Sequence, residues 1–430
     1  MTRSALPPSA RTVAARVLER VDRDGAFASA ALDAELSRHP QLDARERALA
    51  TELVYGCLRM QKALLMRLEQ WAPRGLPKDA RVSAHLVVAA YQILVLDRVP
   101  AFAAVSAAVE AISAERGTRV AGFANAVLRK LTGETGAFDV EQAIVDSAPA
   151  WLRQKLEAVV GVAETRLLLG AAPEPPRVVR LVSGKSPPAW LADAPRGRSS
   201  SRARLVTGGG DLRNREGYAE GCFVIQEEGA QLVALALGVA PGERALDACA
   251  GRGQKTTLLA EQLGGRGELW AADAHPKKLE VLREEFRRLA LLEPATSAVD
   301  WFVGPGAVPE GFDRVLVDAP CTGVGTLRRR PEIVRRLSPE DPARLGALQV
   351  QILRAATERA RPGAYVIYAV CSVLPEEAEE VVAAVSDVLK PTPFVAPELV
   401  AIAGHEASSL RLLPGAHGTD GFFMASFIRR

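Results

Sequence analysis

The chain has 430 residues, 48% of them hydrophobic, with five cysteines and a formal net charge of +3. That length supports two or three domains with full cores, and no apolar run approaches the roughly 18 residues of a membrane span. The widely spaced cysteines include no C-x-x-C pair, which excludes a disulfide framework and a zinc pattern, while so small a charge permits nucleic-acid binding without requiring it.

The opening Met1-Thr2-Arg3-Ser4-Ala5-Leu6-Pro7-Pro8 has no apolar leader, so a cytoplasmic protein with reduced thiols is expected. Residues 1–140 read as helices only. Apolar residues recur at helical spacing in Val13, Val17, Leu18 and Val21, and again in Leu49, Ala50, Leu53 and Val54. Asp43 and Glu46 predict a D-x-x-E capping box at the second stretch. Further helices are expected over 84–96 and 103–114, with Pro77, Pro100 and Gly133 marking connections. Short connections between successive helices argue for a bundle.

Residues 141–225 are mixed. Pro173, Pro175, Pro176, Pro187, Pro188 and Pro195 crowd the middle, and 197–210 is rich in Gly, Ser and Arg. A bridging segment with a small sheet over 178–182 and 203–206 is expected, a small α+β linker. The arginine-bearing stretch 196–204 reads as a solvated or mobile loop.

From 226 to 430 strands and helices alternate. Strand candidates at 245–248, 267–272, 314–317 and 364–369 are separated by helical patterns at 255–263, 276–291 and 341–360. This predicts an α/β domain with a doubly wound, mostly parallel, Rossmann-like sheet. Ligands of such sheets sit at the carboxyl ends of the strands.

The first such end is Leu246-Asp247-Ala248-Cys249-Ala250-Gly251-Arg252-Gly253-Gln254-Lys255-Thr256. Its small residues let backbone approach a ligand, and the helix that follows offers free N–H groups. It is neither a P-loop, which needs glycines where Cys249 and Gln254 stand, nor a dinucleotide G-x-G-x-x-G, since Thr256 takes the third glycine position. Asp273 closes the next strand roughly 20 residues on, where a carboxylate can hold both hydroxyls of a ribose. It would equally cap the helix beginning near Pro276. Asp300, beyond Val299, suits an adenine amino group or a plain turn. Together these fit S-adenosylmethionine better than a dinucleotide.

Cys321 and Cys371 each follow a strand and precede a turn. One buried strand-end cysteine is usually a small hydrophobe; two beside a cofactor loop suggest covalent catalysis with a separate release step. The C5 carbon of cytosine is a poor nucleophile. Thiolate addition to C6 makes it an enamine carbon that accepts a methyl group, after which the C5 proton must leave. Asp318, three residues before Cys321, is placed to bond the N3/N4 edge of such a ring. Cys57, Cys222 and Cys249 are expected to be inert.

The stretches Asp318-Ala319-Pro320-Cys321-Thr322-Gly323-Val324-Gly325, Arg328-Arg329-Arg330-Pro331-Glu332-Ile333 and Tyr368-Ala369-Val370-Cys371-Ser372-Val373-Leu374-Pro375-Glu376-Glu377 resemble motifs of the Sun/Fmu family of RNA cytosine-5 methyltransferases. Asp420-Gly421-Phe422-Phe423 and Gln226-Glu227-Glu228-Gly229-Ala230-Gln231 are similar too. Val54-Tyr55-Gly56-Cys57-Leu58-Arg59, Val99-Pro100 and Phe123-Ala124-Asn125-Ala126-Val127-Leu128-Arg129 resemble a NusB-like RNA-binding domain.

The resemblance implies a NusB-like domain over 1–140, a linker over 141–225 and a methyltransferase domain over 226–430. It implies Cys371 as nucleophile and Cys321 as the thiol needed for release. Cys249, Ala250, Gly251, Arg252, Gly253, Gln254, Lys255, Asp273, Asp300 and Asp318 would contact or border S-adenosylmethionine. The implied substrate is a cytidine in 16S ribosomal RNA, with transfer RNA as an alternative. The family's loop usually reads Pro-Gly-Gly-Lys where this chain has Arg252-Gly253-Gln254-Lys255, which also leaves open an RNA-binding assembly factor with little catalysis. Arg328, Arg329 and Arg330, beside the catalytic loop, suit phosphate contacts around an extruded base in a hairpin loop. A monomer without metal is expected.

Overall fold

The computed structural model describes residues 8–134, 136–172 and 174–430. The N-terminal reading over 1–7 and Pro173 of the proline-rich stretch lie outside the described residues. Among the described residues no helix is long and apolar enough to cross a membrane.

Helix follows helix through the first part: α1 (Ala10–Asp24), α2 (Ala28–Arg38), α3 (Ala44–Gln70), α4 (Ala80–Val95), α5 (Ala101–Arg116), α6 (Thr118–Leu131), α7 (Val140–Ser147) and α8 (Ala150–Leu169). Ser9 caps α1 in a box with Thr12, and Gly25, left-handed at φ 60°, ends it. Val13, Val17 and Leu18 of its buried stripe are fully enclosed. Each such side chain contributes about 1.5–3 kcal/mol. Asp43 caps α3 by accepting the Glu46 N–H at 2.8 Å. The expected box is only half made, because the Glu46 carboxylate accepts the Ala10 N–H at 2.6 Å instead. It thereby satisfies an orphan donor at the start of α1. Gly56 of α3 is obligatory, since a Cβ there would lie 2.2 Å from the Tyr91 ring of α4.

The chain divides into two compact units. The first takes the chain to Gln154, a short return beginning at Leu169, and Leu327–Leu337; the second holds the rest.

Within the second unit, β1 (Arg177–Leu181) pairs antiparallel with both β2 (Ala203–Val206) and β3 (Phe223–Ile225), and α9 (Ala189–Ala192) lies between β1 and β2 in sequence. Of the three strands, β3 escaped the sequence reading, being three residues long. The stretch 196–204 is not loose. The buried Glu228 carboxylate accepts the N–H groups of Arg198, Ser199 and Ser200 at 3.2, 2.6 and 2.7 Å, and Ser200 is itself buried. Three charge-assisted bonds fix a segment whose composition reads as loop.

The remaining elements are α10 (Glu228–Ala236), β4 (Arg244–Asp247), α11 (Gln254–Leu263), β5 (Glu268–Asp273), α12 (Pro276–Leu289), β6 (Ala295–Ala298), β7 (Phe312–Asp318), α13 (Asp341–Thr357), β8 (Ala360–Val370), α14 (Glu379–Ala384), β9 (Leu389–Pro391), α15 (Pro397–Ala403), β10 (Ser409–Leu412), α16 (Pro414–His417) and β11 (Phe422–Arg429). They build an eight-stranded sheet in the order β10-β11-β8-β7-β4-β5-β6, with β9 on β11. The strands from β8 to β6 are parallel, as expected; β9, β10 and β11 add an antiparallel edge that alternation did not reveal. Apolar layers cover both faces. Leu232, Leu258, Phe286 and Ile367 pack on one side and Phe312, Leu353, Tyr368 and Phe427 on the other. Fully buried Arg180 of β1 joins the small sheet to α11, donating to Glu261, to Thr257 Oγ1 at 2.9 Å and to Gln226 Oε1 at 2.7 Å.

Candidate active site

Adjacent parallel strands end together, so their last residues share one edge of the sheet. Here these are Asp247, Asp273, Asp318 and Val370, the last followed by Cys371. The loop after β4 turns on two left-handed glycines, Gly251 at φ 57° and Gly253 at φ 86°. Gly253 must also be small, since a Cβ there would lie 2.7 Å from Leu282 Cγ. Ala250 N–H bonds the Ala272 carbonyl at 2.8 Å, and Gln254 donates to the Ile225 carbonyl at 2.9 Å. Arg252 is exposed.

Asp273 accepts the Gly251 N–H at 3.0 Å and the His275 N–H at 2.9 Å, so it both orders the loop and serves the start of α12. Asp300 is exposed and accepts the Phe302 N–H at 3.0 Å in a turn. Its neighbour Trp301 donates to the Ala248 carbonyl at 2.8 Å, tying that turn to the loop. Lys255, in the first turn of α11, meets the Asp318 carboxylate at 2.6 Å. Burial pulls the Lys255 ammonium down, but Asp318 outweighs it and leaves the group above its ordinary value.

The structure brings the two strand-end cysteines together, Sγ to Sγ at 3.3 Å. Their spacing follows from the β7/β8 register, which pairs Asp318 with Ala369. The hydrogen bond to Cys371, reinforced by burial, pushes the Cys321 thiol well above the usual range. A short relay holds the turn after Cys321: Gly325 N–H bonds the Cys371 carbonyl at 3.0 Å, and the Gly325 carbonyl accepts the Gly421 N–H at 2.8 Å. Of the other cysteines, Cys57 is buried in the helical unit, and burial raises both its thiol and that of Cys249.

Residues 234–428 match the model of the 16S rRNA methyltransferase RsmB/F family, and 8–133 match the NusB family. The chain is 34% identical to the ribosomal RNA small subunit methyltransferase B of Xanthomonas campestris, covering 98% of this chain and 97% of that protein. The chain belongs to the RsmB/F methyltransferase family. A probable ribosomal RNA small subunit methyltransferase B of Synechocystis is 32% identical, over 97% of this chain and 99% of that one. The crystal structure of PH0851 shares the fold, with a TM-score of 0.82 at 22% identity over 98% of this chain and 99% of that one.

As an RsmB/F protein the chain is an S-adenosylmethionine-dependent methyltransferase acting on ribosomal RNA. The residues present suit that cofactor. A Cβ on Gly251 would meet open space, so the loop backbone borders a free volume. Asp247, which the sequence reading did not single out, is almost fully buried and bonds Thr256 Oγ1 at 2.7 Å. Its Oδ1 has no partner among the described residues, and burial pushes its carboxyl up to about 7. A buried acceptor without a donor suits an ammonium group. Asp247 stands at a strand end just as Asp273 does, and that parallel was the available signal.

The arginine motif of the RsmB/F chain does not act as one patch. Arg330 is exposed and Arg329 half-buried, but Arg328 is only 7% exposed and does not present its guanidinium to solvent. The Leu327–Leu337 segment belongs to the helical unit, where Arg59 donates to the Arg328 carbonyl, Arg335 pairs with Asp22 at 2.8 Å, and Arg336 lies over the Phe27 ring.

Proposed function

We propose that the chain methylates C5 of a cytidine in 16S ribosomal RNA, with Cys371 attacking C6 and Cys321 serving release. The observation that carries this reading is the 3.3 Å approach of the two thiols beside the cofactor loop.

The hydrogen bond to Cys371 and burial favour the protonated form of Cys321, and we assign the attacking role to Cys371. Lys255 lies within electrostatic reach of Cys371 and favours its negative charge. Asp318 is 24% exposed at its side chain, which leaves room for a bond to the N3/N4 edge of the ring. Addition of the Cys371 sulfur to C6 turns C5 into a nucleophilic enamine carbon. Residues 249–255 and Asp273 would hold S-adenosylmethionine, which would supply the methyl group to C5 and leave as S-adenosylhomocysteine. Once the Cys371 sulfur is bonded to carbon, the chief cause raising Cys321 is gone. Cys321, only half-buried, then gives up its own proton to water, and as the thiolate it takes the C5 proton while the electrons of that C–H bond restore the ring double bond and the Cys371 thiolate departs. We assign Arg329 and Arg330 to phosphate contacts with the RNA.

The test is incubation of the purified protein with methyl-labelled S-adenosylmethionine and unmodified 16S ribosomal RNA, then nucleoside analysis. Label in 5-methylcytidine is expected. Label in another nucleoside, or in transfer RNA alone, would overturn the proposal.

A further inference from the structure

Glu377 is fully buried in the turn that follows Cys371, yet all its partners are neutral. Its carboxylate accepts the Thr322 N–H at 2.7 Å, Thr322 Oγ1 at 2.5 Å, Ser372 Oγ at 2.5 Å and Gln349 Nε2 at 3.1 Å. Thr322 follows Cys321, and Ser372 follows Cys371. One side chain therefore binds the immediate neighbours of both thiols. Gln349 extends the grip by donating to the Pro320 carbonyl at 2.9 Å, on the other flank of Cys321. Tyr368 OH lies 2.9 Å from Gln349 Oε1 and 2.7 Å from the Glu377 carbonyl, completing the cage.

A carboxylate removed from water without a cation is costly. Burial raises its carboxyl above the ordinary range, and the bonds from Ser372 and Thr322 only partly counter this. The four bonds converge on one function: fixing two separate turns relative to each other.

We propose that Glu377 is a positioning residue that sets the Cys321–Cys371 separation, so that one thiol can attack and the other assist release. This rests on the two-thiol reading of the site. Carbon–sulfur and carbon–hydrogen chemistry on the same ring tolerates little misplacement, and an ångström of error can cost about 100-fold.

The experiment compares E377A and E377Q with the parent full chain on unmodified 16S ribosomal RNA. It also measures dibromobimane, which bridges thiols a few ångström apart, with peptide mapping of the Cys321–Cys371 link. Calorimetric binding of S-adenosylmethionine monitors folding of the cofactor site. E377A is expected to lose at least 20-fold in kcat while KM for S-adenosylmethionine stays within threefold, and to bridge its thiols at least fivefold more slowly. E377Q can accept from Thr322 N–H through its oxygen and donate to the two hydroxyls, so it is expected to recover bridging and most of kcat. Parent-like kcat in E377A would overturn the proposal, as would a lost kcat with unchanged bridging or an E377Q variant that bridges normally but turns over like E377A. Bridging needs no turnover, so this test fails separately from the two-thiol reading, which C371A examines.

Discussion

Lys255 Nζ and the Asp318 carboxylate, 2.6 Å apart, join the start of α11 to the end of β7 and so link the cofactor loop to the Cys321 motif. Both side chains are mostly buried, 16% and 24% exposed. Removing one partner leaves the other charge uncompensated, which is far costlier than losing an exposed pair. K255M and D318N are each expected to lower kcat/KM at least tenfold. The double variant should fall short of the product of the two losses by a coupling of about 1 kcal/mol or more. Multiplicative losses in a double-mutant cycle would show that the two residues act independently.

The cysteine pair divides its labour in a way that two substitutions separate. C371A is expected to abolish methylation, because the attacking sulfur is gone. C321A should instead accumulate RNA covalently attached to protein, seen as a retarded band on a denaturing gel. Normal turnover by C371A, or turnover by C321A without any adduct, would contradict the assignment.

Gly325 has no room for a side chain. A Cβ there would lie 1.9 Å from the Gly421 carbonyl oxygen and 2.6 Å from its carbon, both backbone atoms. Overpacking of this kind costs about 1–3 kcal/mol. G325A is therefore expected to lower Tm by about 5 °C and to reduce turnover, because the relay from Cys371 through Gly325 to Gly421 is forced apart. Differential scanning calorimetry with a parallel activity assay checks both.

Asp247 is expected to make stability fall as pH rises. Its carboxyl is at about 7 in the folded chain against an ordinary 3.8. Between about pH 4 and 7 the folded protein keeps a proton that the unfolded chain has released, so unfolding is favoured progressively across that window and no further above it. Glu377, also raised, acts in the same direction in parent and variant and cancels from the comparison. The thermal midpoint of D247N should lack much of the decline that the parent shows from pH 4 to 7. Parallel curves would remove Asp247 as its source.

What was legible in the sequence was mostly local. Helical spacing of Val13, Val17 and Leu18 marked the stripe that α1 buries, and apolar runs ahead of Asp247, Asp273, Asp318 and Cys371 marked the central strands. Residues whose partners are distant along the chain were not legible. Glu46 has the pattern of a capping box, but its carboxylate goes to Ala10, 36 residues away. Glu228, legible only as part of a motif, is buried under the backbone of 198–200. Arg328 reads as one of three equivalent cations, yet packing within the helical unit removes it from solvent.

By itself the sequence determined the helical first part, the parallel α/β core and the chemical types at the strand ends, because periodicity, glycine and strand-end position act through nearest neighbours on the chain. Only the tertiary structure decided which of those ends meet. The β7/β8 register brings Cys321 to 3.3 Å from Cys371 across 50 residues, and antiparallel β11 carries Gly421 onto Gly325. Glu377 acquires its role in the same way, by reaching Thr322 across 55 residues. Such contacts depend on strand order and register, which are set by burial of whole faces and leave no mark at the individual positions they join.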